Sequence, residues 1–280
     1  MKCFLLLFVT IVQSSVFFLF AQKPLSIKVA REVIDSVQLE VDRLYSLSEA
    51  KNKSLELIQK QEAFNQMSFD YLTYFKNDTV HFILLDSKNN VRSTYYYNRI
   101  ENKRIGVDSN SRSMTDQEEI LLNAKQDAIA EANKQKYEMR VSNEIEIDYI
   151  FHQNRNGFTL YAISVPKIDS ILPFGGDYLF LFNFNMKLQL FEKNGKFNLM
   201  SIRKKDNPPN SKLHAVSSPT GIRTNDFKVL IPYYYKFRRY HHNLRIEELE
   251  SSINKRLLKY NAPKNDIEIK LFPVEKIDEE

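Results

Sequence analysis

Residues 115–138 read TDQEEILLNAKQDAIAEANKQKYE, and the fold class turns on them. Thr115 and Glu118 stand at the spacing of a capping box. The Thr115 hydroxyl takes an orphan N–H of the first turn, and the Glu118 carboxylate reaches back to the N–H of Thr115. Leu121, Ala124, Ala128 and Ala132 then recur at three- and four-residue steps and share one helical face. Side chains this small let a helix approach a sheet closely. The spacing predicts a helix over Thr115–Glu138 that lies on β-structure.

Four strand-like segments follow: Glu144–His152, Phe158–Val165, Asp177–Met186 and Phe197–Arg203. Asn154-Arg155-Asn156-Gly157 predicts a hairpin between the first two, and Lys193-Asn194-Gly195-Lys196 another before the last. Tyr178, Phe180 and Phe182 alternate with Leu179 and Leu181, so this strand is apolar on both faces and belongs inside a sheet. Glu144, Glu146 and Asp148 alternate with Ile145, Ile147 and Tyr149, the pattern of a strand with one solvated face.

Upstream, Ile27, Ala30, Ile34, Val37, Val41 and Leu44 form an apolar stripe that predicts a helix over Leu25–Leu47. Leu55, Ile58, Phe64, Met67 and Tyr71 suggest a second helix. Thr79–Leu85 and Val91–Tyr97 read as strands around the turn cluster Asp86–Asn90. Gly106–Met114 is polar and reads as a linker. Downstream, Asp206–Ser218 with Pro208-Pro209 reads as a loop. Phe227–Phe237 reads as a strand, which Pro232 confines to an edge. Ile246, Leu249, Ile253 and Leu257 predict a helix over Leu244–Tyr260, and Ile267–Phe272 a last short strand. The fold class is α+β: an antiparallel sheet with helices packed on one face and a helical N-terminal segment. The expected organisation is a signal peptide at 1–21, N-terminal helices plus a β-hairpin at 22–105, and a helix with an antiparallel sheet and C-terminal helix at 115–280, packed with the preceding unit.

One helix followed by four antiparallel strands, over about Thr115–Arg203, resembles cystatin-like and PepSY-like rolls. That resemblance implies a curled sheet around a helix, and binding or inhibition in place of catalysis. The run Phe174-Gly175-Gly176-Asp177-Tyr178 is similar to segments of uncharacterised exported bacterial proteins. His214-Ala215-Val216, followed by Arg223-Thr224-Asn225-Asp226, resembles the zinc motif of metallo-isopeptidases in degenerate form. Val216 stands where a second histidine belongs, and Arg223 where the serine does. Two protein ligands do not hold a catalytic zinc, so the resemblance implies a non-catalytic relative.

Lys2, the apolar run Phe4–Phe20 and Ala21 have the three parts of a secretory signal peptide with cleavage before Gln22. Gln13-Ser14-Ser15 interrupts the run and disfavours an uncleaved span, so no integral membrane span is expected after cleavage. The only cysteine, Cys3, lies inside this segment, which leaves the mature chain without a disulfide or a thiol ligand. Exported eukaryotic proteins usually use disulfides, so the pattern favours a bacterial protein of the periplasm, cell surface or medium.

With 43 % hydrophobic and 27 % charged residues, the composition excludes collagen-like and wholly disordered chains. No GxGxxG or GxxxxGK[ST] pattern occurs among its 6 glycines, so no nucleotide-binding loop is recognised. The five histidines, His81, His152, His214, His241 and His242, form no HExxH, and no metal site or cofactor is expected. No GxSxG nucleophile occurs either. The densest feature is Tyr233-Tyr234-Tyr235-Lys236-Phe237-Arg238-Arg239-Tyr240-His241-His242. As an edge strand it would bury Tyr233, Tyr235 and Phe237 and turn Tyr234, Lys236 and Arg238 to water, with Arg239 joining them through a bulge. Tyr234, Lys236, Arg238 and Arg239 are therefore the candidate partner-binding residues, suited to an acidic protein or an envelope polyanion. Nucleic acid is not expected, because the formal charge of +5 is small and the destination is outside the cytoplasm. The function expected is that of a non-enzymatic envelope binding protein. The alternative is a hydrolase whose site is assembled from residues distant in sequence.

Overall fold

The computed structural model describes residues 27–60, 70–99, 101, 103–134, 142–194, 200–203, 213–215, 230–244, 248–253, 256–261, 264 and 266–271. The first apolar stripe does not stop at Leu47. Helix α1 runs over Ile27–Gln59, about 50 Å at 1.5 Å per residue, and Ile58 continues the buried face of Ile34, Val37, Val41 and Leu44. Leu55 and Ile58, assigned from spacing to a second helix, thus end α1. Tyr71 lies on strand β1 (Asp70–Lys76), and Phe64 and Met67 lie outside the described residues.

β1, β2 (Thr79–Leu85), β3 (Val91–Asn98) and β4 (Arg104–Asp108) form an antiparallel meander in that order. The expected linker 106–114 therefore begins inside β4, and Arg112 bridges back to Val91. Helix α2 (Asp116–Lys134) has its capping box: Glu118 N donates to Thr115 Oγ1 at 3.3 Å, and Thr115 N donates to Glu118 Oε2 at 2.8 Å. After it come β5 (Ile145–Asn154), β6 (Gly157–Pro166), β7 (Ile171–Phe174), β8 (Asp177–Phe182) and β9 (Leu188–Asn194). The second sheet has the order β5-β6-β8-β9, while β7 pairs with β10 (Met200–Arg203). The 200–203 part of the expected last strand thus pairs with β7, not with the neighbouring β8.

β11 (Leu213–Ala215) lies parallel to β12 (Glu248–Ile253), and β12, β13 (Arg256–Asn261) and β14 (Asp266–Leu271) continue antiparallel. The helix expected over Leu244–Tyr260 is thus the β12–β13 pair. A four-residue apolar step is only a weak prior for helix, and strand pairing overrides it. Residues 230–237, expected as part of an edge strand, belong instead to helix α3 (Leu230–Leu244). Pro232 is the third residue of that helix, where a backbone N–H has no intrahelical partner, so proline costs no hydrogen bond there.

The α+β class and the long N-terminal helix agree with the sequence pattern. The helices, however, cover both faces of the sheets. α1 and α3 share one core with Val80, Phe82, Tyr95 and Tyr97 of the first sheet and Tyr161, Ile163 and Leu179 of the second. α2 packs on the opposite face with Ile83, Leu85, Leu160, Ala162 and Phe180. Strand β6 is buried at every position from Gly157 to Val165, and a strand apolar on both sides needs cover on both. The alanine face of α2 supplies one cover: Ala124, Ala128 and Ala132 are buried. β1 and β5, outer strands of their sheets, meet beneath α1.

Candidate functional site

The four residues expected as an outward patch do not form one. On a helix buried at every position from Leu230 to Phe237, Tyr234 and Lys236 point inward, and both are 0 % exposed. Tyr234 stacks on Tyr260 at 4.5 Å. Arg238 is part-buried, paired with Asp42 of α1, and its guanidinium lies 4.1 Å from the Tyr45 ring centroid. Arg239 is also part-buried and donates to Ser48. Both arginines hold α3 to α1. The misplacement follows from the period: a strand would alternate Tyr234, Lys236 and Arg238 away from Tyr233, Tyr235 and Phe237, whereas a buried helix takes in both sets.

The structure instead opens a cleft of about 670 Å³ between the N-terminal half of α1 and the face formed by β6 and β8. Val29, Val33, Val37 and Leu39 of α1, Leu179 and Leu181 of β8 and Ile231 of α3 give it apolar walls. The strand contributions follow from register: Thr159 pairs with Leu181 and Tyr161 with Leu179, so the four form a patch on one sheet face. Leu39 is 50 % exposed at the rim.

Glu40 anchors the polar end of the cleft. Its Oε1 lies 2.8 Å from His152 Nε2 and accepts the Tyr161 hydroxyl at 3.2 Å, while Oε2 accepts Arg43 Nη1 at 2.6 Å. Burial alone would raise this carboxyl, but His152, Arg43 and Tyr161 outweigh it and hold the pKa at about 2. Nearby, Asn154 Nδ2 donates to Thr159 Oγ1 at 2.7 Å. Glu40 is separated from His152 by 112 residues of chain and from Tyr161 by 121, and no local motif marks them; only the packing of α1 across β5 and β6 brings them together.

A second polar centre is sealed from solvent. One residue beyond the last β6–β8 ladder pair, Ala162–Tyr178, the Asp177 carboxylate takes the N–H of Ser164 at 2.9 Å. Lys236 Nζ donates to Asp177 Oδ2 at 2.8 Å, to Oδ1 at 3.0 Å and to Ser164 Oγ at 3.1 Å. Gly175 and Gly176, both at positive φ, turn the chain so that Asp177 enters β8 facing inward. The Gly175-Gly176-Asp177 run was the visible signal for this centre; its lysine was not foreseeable from a strand reading of α3.

His81 packs between Tyr74 and Tyr96, and His241 Nδ1 lies 3.0 Å from the Arg238 carbonyl. Among the described residues no three His, Cys, Asp or Glu side chains gather as a metal site. Of the degenerate metallo-isopeptidase motif, 214–215 falls on β11 and the rest lies outside the described residues. Compared with known proteins, the chain matches no family model, no curated protein and no solved structure.

Proposed function

We propose that the protein is an exported bacterial envelope protein that binds a small amphipathic molecule in the cleft between α1 and the second sheet, without transforming it. The supporting observation is the Glu40 cluster at the end of an apolar cleft. Ligand sites of this size typically pair apolar walls with a few convergent polar groups. A carboxyl whose pKa is held at about 2 and whose two oxygens are both engaged is far from the neutral pKa that suits general acid–base work. It orients Tyr161, His152 and Arg43 and leaves the walls to hold an apolar body. Export rests on Lys2, the Phe4–Phe20 run and Ala21. The element order read from the sequence over 115–203, which resembles that of cystatin-like rolls, favours binding by analogy.

Anilinonaphthalene sulfonate is a suitable amphipathic probe. Its fluorescence is expected to rise with folded wild type and to fall back in Leu181→Trp, which narrows the cleft, while the circular dichroism of the two proteins agrees. Equal probe binding by both would sink the assignment. Turnover of ester or peptide probes by wild type, lost in the same variant, would favour the hydrolase alternative. N-terminal sequencing of protein recovered from the envelope is expected to begin at or near Gln22; an intact Met1 terminus in the cytoplasm would refute export.

A further inference from the structure

Lys236, Asp177 and Ser164 are each 0 % exposed. They have the composition of a Ser–Lys hydrolytic centre, yet no substrate can reach a sealed core. What the arrangement does permit is a reaction between its own members. Lys236 Nζ lies almost equally from the two Asp177 oxygens, at 2.8 and 3.0 Å, which puts it roughly 3 Å from the carboxyl carbon they share but beside the carboxylate plane, so a side-chain rotation must lift it over that carbon before it attacks. Ser164 N–H donates to Oδ1 at 2.9 Å, where negative charge builds if that carbon is attacked, and the Ser164 hydroxyl, shared between Oδ1 at 2.9 Å and the Gly175 carbonyl at 2.8 Å, stands beside it. Burial pushes the Asp177 carboxyl up and the Lys236 ammonium down, each against the pull of the other, and both directions favour the neutral reactants.

We propose that Lys236 and Asp177 condense into an intramolecular amide crosslink, which makes this pair a self-modification site. The neutral amine attacks Cγ and a C–N bond forms. The bond from Cγ to Oδ2 breaks, and Oδ2 leaves as water with its own carboxyl proton and one from the nitrogen. Oδ1, held by Ser164, becomes the amide oxygen. Nothing is oxidised or reduced, and no co-reactant is required. The link ties α3 to the start of β8 across 59 residues of chain. In a chain whose single cysteine is Cys3, it supplies the covalent closure that exported proteins more often take from disulfides.

The experiment is an intact-mass measurement on the folded, exported full-length product, followed by peptide mapping. After allowance for the mature N-terminus, wild type is expected to be lighter than its sequence by one water. A branched peptide should join the Asp177 segment to the Lys236 segment. Lys236→Arg keeps the positive charge but not the nucleophile, and is expected to carry the full mass. A wild-type mass equal to the sequence overturns the proposal and leaves the pair as a buried ion pair. So does a missing water that maps elsewhere. Because wild type alone decides, the test survives a variant that fails to fold.

Discussion

Glu118 is 2 % exposed and receives four donors: Arg112 Nη1 at 2.7 Å, Arg112 Nη2 and the Tyr74 hydroxyl at 2.8 Å, and Thr115 N at 2.8 Å. Burial works to raise its carboxyl, but these bonds dominate and hold it at about 2 against an ordinary 4.5. The sign follows from linkage: a carboxyl depressed on folding contributes stability that is fully present above its unfolded pKa and is lost as pH falls through its folded one. Discounted for the screening of the partly exposed Arg112, a depression of this size corresponds to about 1–3 kcal/mol. Glu118→Gln should therefore lower unfolding stability by about that amount at pH 7, and its gap to wild type should close between pH 4.5 and 2. Urea unfolding over that range reads the effect; parallel curves would show that the carboxylate charge is not what matters. Glu40 is depressed in the same direction and steepens the wild-type acid limb in the same window. The capping half of this network was legible in the sequence, because Thr115 and Glu118 are three residues apart. Tyr74 was not, because it arrives from β1, 44 residues away, and only the tertiary arrangement places it there.

Among the elements, those with a strong local signal came through the sequence, and those decided by context did not. The Asn154–Gly157 hairpin is the clearest case. Gly157 sits at φ 142, and a Cβ there would stand 2.0 Å from the Phe182 carbonyl oxygen. Gly157→Ala is expected to cost on the order of 3 kcal/mol, from backbone strain and displacement of β8 together, while Asn156→Ala at the exposed turn should stay within about 0.5 kcal/mol. Equal denaturation midpoints would show that the β6–β8 approach is looser than described. The α2 face gives a second test of the same kind: Ala128 is 0 % exposed against the sheet, so Ala128→Leu should overpack it by about 1–3 kcal/mol, read from the urea midpoint. The failures have a common cause. Local spacing does not decide the state of either misread segment: 230–237 is buried at every position, which erases the amphipathic contrast that separates helix from strand, and Ile246, Leu249, Ile253 and Leu257 step as a helix would although 248–253 and 256–261 pair as strands. The cleft was illegible for a related reason: its walls look like ordinary core positions until α1 is laid across the second sheet.

At the scale of the molecule, α1 is the element that makes the sheets and α3 one body. Ser54 Oγ lies 2.7 Å from the Tyr97 hydroxyl of the first sheet, Glu40 binds Tyr161 and His152 of the second, and Ser48 Oγ accepts the Tyr235 hydroxyl of α3 at 2.9 Å. Leu258, Tyr260 and Ile267 of the β11–β14 sheet enter the same apolar core. Two units split at about 105–115, as the sequence suggests, would unfold separately only if their cores were separate, and a shared core couples them. The protein is therefore expected to unfold in one transition. Leu44, 0 % exposed at the centre of α1, offers the lever: Leu44→Ala removes contacts common to both units and should cost about 2–5 kcal/mol. With 15 tyrosines and no tryptophan, tyrosine fluorescence reports on core packing and far-UV circular dichroism on the helices. Both signals are expected to shift together to a lower urea midpoint in the variant, with an unchanged slope. Two separated transitions in wild type, only one of them moved by Leu44→Ala, would mean that the chain holds two independent cores and that α1 belongs to just one.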